Sequence, residues 1–356
     1  MGSATAWQLA LRGRDVHLFE RFEPGHTHGA SHGRSRNFNL AYSAEPYVSM
    51  LVEASRLWRE LEEQSGAALL ETVGLVNHGA PQQYGAVADA LAAAGFDAEF
   101  VEARDAAARW PGIRFTTTAL FSPQSGRLDA DASVAALQSV AAAHGATVHH
   151  GARVLRLDVA GDDRVVLEVE RAGVVETVVA RRVVVTVGGW TEKLLGGVLR
   201  HPRLVVTQEQ PAHFAALDDS IAWPGFNHGR GPDDDYWYSS VYGMFTPGLG
   251  VKAGWHGVGP VVDPDRRDYS AEPVQFAALQ RYVRDWLPGA DADRFETISC
   301  TYTTTPDSDF VLDRVGPVVV GAGFSGHGFK FTPSVGRILA DLVDGSSAAP
   351  DVFALR

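Results

Sequence analysis

Met1-Gly2-Ser3-Ala4-Thr5-Ala6-Trp7-Gln8-Leu9-Ala10 opens the chain, and after Gly13 it is followed by Asp15-Val16-His17-Leu18-Phe19-Glu20. The first run reads as a helix of small residues and the second as a strand ending in an acid. Together they make the second half of a dinucleotide-binding βαβ unit, in which the helix packs tightly on the sheet and the acid takes a ribose hydroxyl. Gly2 stands where the third glycine of a GxGxxG fingerprint belongs, and Glu20 falls about 20 residues on from the start of that fingerprint. The preceding strand and the first two glycines are then expected upstream of Met1, which makes this an N-terminally shortened form. The competing reading is an ordinary amphipathic N-terminal helix with no nucleotide.

Outward from this unit, 356 residues are enough for two intertwined domains with a ligand between them. The content of 45% hydrophobic and 21% charged residues is that of an ordinary soluble globular protein. No apolar stretch is long enough to span a membrane. A net charge of −12 argues against a nucleic-acid partner, which needs clustered Lys and Arg. The single cysteine, Cys300, precludes an intrachain disulfide, and no secretory signal is visible, so a cytoplasmic location is expected.

Arg21 to Tyr42, rich in His, Gly and Ser, reads as a loop, and a helical pattern runs from Pro46 to about Gly66. Asp129–His144 reads as a helix, Ala146–His150 and Ala152–Val159 as strands, and Arg182–Val187 as a buried strand leading into Gly188-Gly189-Trp190. The β-branched run Val183-Val184-Val185-Thr186-Val187 suits a buried parallel strand. Between Pro202 and Thr305 longer, more polar strands with aromatics are expected, among them Tyr236-Trp237-Tyr238 and Gly250–Trp255, in an antiparallel sheet with one ligand-facing side. Gly316–Gly321 returns to an apolar strand, and Pro333–Val343 reads as a closing helix. The acid run Asp233-Asp234-Asp235 is expected in a solvated loop.

Near the end of the chain, Gly323-Phe324-Ser325-Gly326-His327-Gly328-Phe329-Lys330 puts three glycines at every second or third position, where a backbone can approach a flat ligand with no Cβ in the way. A lysine follows, where an anion could be held. With this run, His26 to Arg36, Tyr242 to His256, and Ser299-Cys300-Thr301-Tyr302 with Asp309-Phe310, the chain resembles the monomeric sarcosine oxidase and N-methyltryptophan oxidase family. That family belongs to the larger group of FAD-dependent amine oxidases with a glycine/D-amino-acid oxidase-like fold. The fold class implied is α/β, with α+β character in the second domain. A Rossmann-like FAD-binding domain is expected from the separated segments 1–70, 125–198 and 305–356, and an antiparallel-sheet substrate domain from 71–124 and 199–304.

The resemblance implies roles residue by residue. Cys300 matches the cysteine joined through a thioether to FAD; a thiolate is the nucleophile such a carbon accepts, against the alternative of a buried free cysteine behaving as a small hydrophobe. His32 and Arg36 match residues lying against the flavin ring, where fixed positive charge stabilises the reduced anionic form. A structural arginine and a satisfied loop histidine are the bland alternatives. Lys252 matches the lysine that promotes reaction with oxygen, and on an alternating strand it shares a face with Gly254 and His256. His256, Tyr242 and Tyr302 belong to the pocket, and Lys330 matches the residue that pairs with the substrate carboxylate. Gly2, Glu20, Ser31, Ser35, Val154, Gly188, Trp190, Gly326, Gly328 and Phe329 complete the expected cofactor-binding set. The His26, His28, His32 spacing finds no Cys or carboxylate cluster to complete a metal site, so no metal is expected.

One position departs from the family. The arginine three residues after the match of Arg36, which completes the carboxylate clamp in sarcosine oxidases, is here Asn39, and an amide does not replace a bidentate charge-assisted contact. The activity expected is oxidation of the secondary amine of an amino acid, of the sarcosine or N-methyl type, by FAD and O2, giving H2O2 and an imine that hydrolyses. The rivals are an oxidase of a cyclic or glycated amino acid and a flavin-free inactive chain. A monomer is expected, by analogy with the family.

Overall fold

In this computed structural model, residues 1–80, 84–232 and 234–355 are described. Asp233, the first residue of the acid run, lies outside them; Asp234 accepts a hydrogen bond from the Gly231 N–H at 2.6 Å within a turn. The helix Gly2–Leu11 carries small residues along its length, which lets it lie close between neighbours. A Cβ on Gly2 would stand 2.7 Å from Thr186 Oγ1, so the close approach of this helix to the chain leaving strand Val183–Val185 requires glycine there. Helices Glu45–Ser65, Ala130–Ala143 and Thr332–Asp344 pack around it and bury Trp7, Trp58, Leu137 and Leu339 in one apolar core. The expected helix from Pro46 stops where Gly66, at φ 70°, takes the left-handed conformation.

His17–Phe19 pairs in parallel with Thr147–His149, and Val183–Val185 pairs in parallel with Val318–Val320, in two separate sheets. Parallel pairing is what the β-branched run led one to expect, but only Val185 of it is buried; Val183, Val184, Thr186 and Val187 are half-buried because the strand lines a cavity. Beside them Ala152–Gly161, Arg164–Arg171 and Val174–Ala180 form an antiparallel three-stranded sheet.

The site is positioned by an eight-stranded sheet whose order is Ala290–Thr297, Ala212–Ala216, Gly250–Trp255, Val241–Thr246, Gly225–Gly229, Leu75–Gly79, Ala119–Ser122 and Glu99–Val101. It is antiparallel except for Gly225–Gly229 against Leu75–Gly79, which run parallel. One face packs on helix Pro273–Trp286 through Phe214, Phe226, Trp255 and Leu279. On the other face the register aligns Met244 with Lys252 and His213, and one pair further on aligns Gly254, Tyr242, Asn227 and Asn77.

Two expectations are corrected. The segment Arg21–Tyr42 is not all loop: Arg36–Phe38 is a strand, because antiparallel pairing with Gly126–Leu128 satisfies its backbone and buries Phe38. Conversely, Tyr236-Trp237-Tyr238 is a turn; Trp237 is buried edge-on against His228, Tyr282 and Trp286, a packing site that needs no ladder. Among the described residues no helix is long and apolar enough to cross a membrane.

Candidate active site

Between the parallel strands and the eight-stranded sheet runs a cavity of about 1740 Å³. Every residue expected at the site lines it except one: Gly2, Glu20, Ser31, Ser35, Arg36, Val154, Gly188, Trp190, Tyr242, Lys252, His256, Cys300, Tyr302, Gly326, Gly328, Phe329 and Lys330 are all on its wall, as is Asn39. His32 is the exception. It is buried behind the wall with Nε2 unpartnered among the described residues, and burial together with the Arg36 and Lys252 charges lowers it to about 3, so it is neutral. Of the expected pair His32 and Arg36, only Arg36 therefore carries positive charge, with Lys252 nearby.

The two ends of the cavity differ. At one end Gly2 and Gly188 meet Glu20, whose carboxylate accepts from the Phe22 N–H at 3.0 Å, and Trp190, whose indole N–H donates to Asp265 at 2.8 Å. Away from that end, three basic side chains line the cavity. Arg36, on its short strand, donates to the carbonyls of Ser35 and Ala30 at 2.9 and 3.0 Å and places Nη2 3.9 Å from Cys300 Sγ. Lys252 extends from its strand to the Ser35 carbonyl at 3.3 Å. Lys330 donates to the Tyr42 hydroxyl at 3.0 Å and the His327 carbonyl at 2.8 Å. Among the described residues neither lysine has a carboxylate within ion-pair distance, and burial lowers each to about 7.

Cys300 and Tyr302 are alternate residues of strand Cys300–Thr304, so both face the cavity, and the Tyr302 hydroxyl lies 3.3 Å from His256 Nδ1. Gly326 takes φ 80° against the Tyr302 ring, and a Cβ there would overlap it. A Cβ on Gly328 would stand 2.6 Å from Phe324. Among the described residues no group of His, Cys, Asp or Glu could hold a metal ion.

Sequence reasoning missed Tyr42. It lies three residues beyond Asn39 and bonds both Lys330 and His327, whose Nδ1 is 3.2 Å away. A lone tyrosine in a polar loop carries no periodic signal. Asn39 itself turns back on its own backbone, accepting from the Ala41 N–H at 3.0 Å. Asn37, Asn77 and Asn227 also escaped notice.

The sequence model of the family described as FAD dependent oxidoreductase matches residues 1–342. The chain is 32% identical over 359 aligned residues to a monomeric sarcosine oxidase of Bacillus sp. (strain B-0618), covering 96% of this chain and 89% of that protein. It is 33% identical to a peroxisomal sarcosine oxidase of Mus musculus, with the same coverage of both. Among solved structures it is similar to NikD, described as an unusual amino acid oxidase essential for nikkomycin biosynthesis, with a TM-score of 0.85, 28% identity, and coverage of 99% of this chain and 94% of that one.

Proposed function

The chain belongs to the FAD dependent oxidoreductase family, and from that premise we propose that it oxidises the secondary amine of an amino acid, of the sarcosine or N-methyl type. It is an FAD-dependent oxidase of amine or amino-acid substrates with O2 as co-substrate. The residues present fit that cofactor: the cavity has one end where Gly2 and Gly188 line it beside the Glu20 carboxylate, and another lined by Arg36, Lys252 and Lys330, while Gly326 and Gly328 let the chain pack closely on Tyr302 and Phe324 beside it. Gly2, Glu20, Val154, Gly188 and Trp190 would hold the nucleotide end, and Ser31, Ser35, Arg36, Gly326, Gly328 and Phe329 the ring end. The division into a cofactor domain (1–70, 125–198, 305–356) and a substrate domain (71–124, 199–304) is part of the same reading.

Bound there, FAD would supply the two-electron acceptor chemistry by which the amine is oxidised to an imine, later hydrolysed to aldehyde and amine, with O2 reduced to H2O2. The chain supplies the rest. Lys330, held by Tyr42, takes the substrate carboxylate. Arg36 and Lys252 set a positive field, which favours the unprotonated amine and stabilises negative charge developing on oxygen. His256, Tyr242 and Tyr302 shape the pocket, and His32, buried behind the wall, stays neutral. Cys300 is the point of covalent attachment. The observation that carries the reading is that one cavity is lined by Arg36 and by two buried lysines, Lys252 and Lys330, with no acid partner among the described residues: an anionic substrate group completes such a site. Asn39, turned onto its own backbone, leaves the carboxylate end open and favours a larger cyclic or glycated amine as the second reading. The single unbridged cysteine supports a cytoplasmic location for the enzyme.

The test is an oxygen-consumption and peroxide assay of the purified holoprotein with sarcosine, N-methylalanine, proline and a glycated amino acid, with formaldehyde as the second readout. Equimolar formaldehyde and peroxide from N-methyl substrates supports the reading. Turnover confined to proline or the glycated amine replaces it with the second. Acid precipitation should leave yellow colour in the pellet of the parent chain and release it from Cys300→Ser; colour retained by the variant rules out the thioether.

A further inference from the structure

The cavity face of the eight-stranded sheet continues past Tyr242 to Asn227 and Asn77, paired by register. Their side chains are joined: Asn227 Nδ2 donates to Asn77 Oδ1 at 2.9 Å, and Asn37 Nδ2 donates to Asn227 Oδ1 at 3.4 Å. The two ends of this chain of amides, Asn37 Oδ1 and Asn77 Nδ2, are buried and without a partner among the described residues, and Asn77 as a whole is only 7% exposed. Turning all three amides over reverses the chain but still leaves one donor and one acceptor free at its ends. Buried amide groups are almost always paired, so orphans at a cavity edge point to a ligand.

There is a place for one. A side pocket of about 160 Å³ adjoins the main cavity at Asn227 and Ser240, which line both, and is lined also by Asn77 and Tyr84. Ala41 also lines it, next to the Tyr42 that receives the Lys330 hydrogen bond, so the pocket adjoins the carboxylate end. Among the described residues no Lys, Arg, Asp or Glu lines it, so an ionised group would enter without a charged partner there. Of the two free ends only that of Asn77 lies at this pocket, a donor as oriented here and an acceptor with the chain reversed, and a neutral group that both accepts and donates meets either.

We propose that this side pocket binds a carboxamide on the substrate's side chain, so that the preferred substrate is an N-alkyl amino acid of the asparagine or glutamine type. The inference rests on the secondary-amine reading above and narrows it. A neutral hydrogen-bonding group satisfies the orphaned Asn77 without the cost of burying a charge in a pocket whose described lining carries none.

The experiment is steady-state oxidation by the holoenzyme of N-methylasparagine and N-methylglutamine, compared with the shape-matched N-methylleucine, the charged N-methylglutamate, and sarcosine. A kcat/KM at least about tenfold higher for a carboxamide than for N-methylleucine, about what one well-placed hydrogen bond contributes, is the expected result. The ratio should fall towards one in Asn77→Leu. Because that variant could fail to fold, the parent enzyme is also inhibited with two amine-free acids, 4-carbamoylbutanoate and 5-methylhexanoate, and the carboxamide should bind more tightly. Sarcosine oxidised without preference for carboxamides, with the two acids binding equally, overturns the inference and leaves the secondary-amine reading standing. No turnover of any secondary amine overturns both. A preference that survives in folded Asn77→Leu overturns the assignment to this pocket.

Discussion

Lys330 shows how one side chain couples burial to binding. Its ammonium is lowered to about 7 by burial, and its hydrogen bonds go to a hydroxyl and a carbonyl, neither of which carries charge. A carboxylate ligand needs the protonated form. Affinity for an amine-free carboxylate such as acetate should therefore be full below pH 7 and fall by about tenfold per pH unit above it, while an ordinary lysine would hold it to about pH 10. Competitive inhibition measured across this range checks the point. In Lys330→Met the dependence in that window should disappear and inhibition should weaken throughout; a parent profile flat to pH 9 would detach the carboxylate from this lysine.

Among the elements, the helix Gly2–Leu11 depends on how closely its partners approach. Gly336, in helix Thr332–Asp344, faces Ala4: a Cβ there would stand 2.6 Å from the Ala4 carbonyl carbon and from its Cβ. Glycine to alanine inside a helix ordinarily gains about 1 kcal/mol. Here overpacking against a backbone that cannot yield costs about 1–3 kcal/mol, so Gly336→Ala should be net destabilising. Chemical denaturation gives the sign directly, and since this helix borders the cofactor cavity, flavin content should fall with stability. The helix ends themselves follow local rules, as where Pro46 enters the first turn of Glu45–Ser65 and Gly66 closes it.

For the whole molecule, pH acts through groups buried in their neutral form. His32, His78, His213 and His228 are each less than 9% exposed, and burial lowers them to about 3, 3, 4 and 2. His78 stacks on His228 at 4.0 Å with both ring nitrogens unpartnered among the described residues. Below their usual value near 6.5 the unfolded chain takes up protons that the folded chain refuses, so stability is lost as pH falls from about 6.5 towards 4. Lys252 and Lys330, lowered to about 7, act with the same sign: the unfolded state binds more protons between about 7 and 10.5, so stability rises with pH there too. The melting temperature of the chain should fall steeply on the acid side, by several degrees per pH unit. Replacing His78 with Leu should flatten that limb and leave neutral-pH stability equal or higher, because an unsatisfied buried imidazole is removed.

What the sequence determined by itself was whatever is written in local pattern. The small-residue helix beginning at Gly2, the β-branched run from Val183, the glycine run ending at Lys330 and the single cysteine each carry their meaning within a few residues, through periodicity, steric size or chemical type. Tertiary structure decided what depends on partners far away in sequence. Arg36–Phe38 became a strand because Gly126–Leu128 was there to pair with it, and Trp237 left the expected strand because an aromatic cluster could bury it. His32 lost its charge to burial beside Arg36 and Lys252, and Tyr42 met Lys330 across 288 positions of chain. The asparagine ladder joins Asn37 to Asn227 across 190. Such groups have no local signature, because an amide or hydroxyl is an ordinary loop or strand residue until the fold removes its water and supplies, or withholds, a partner.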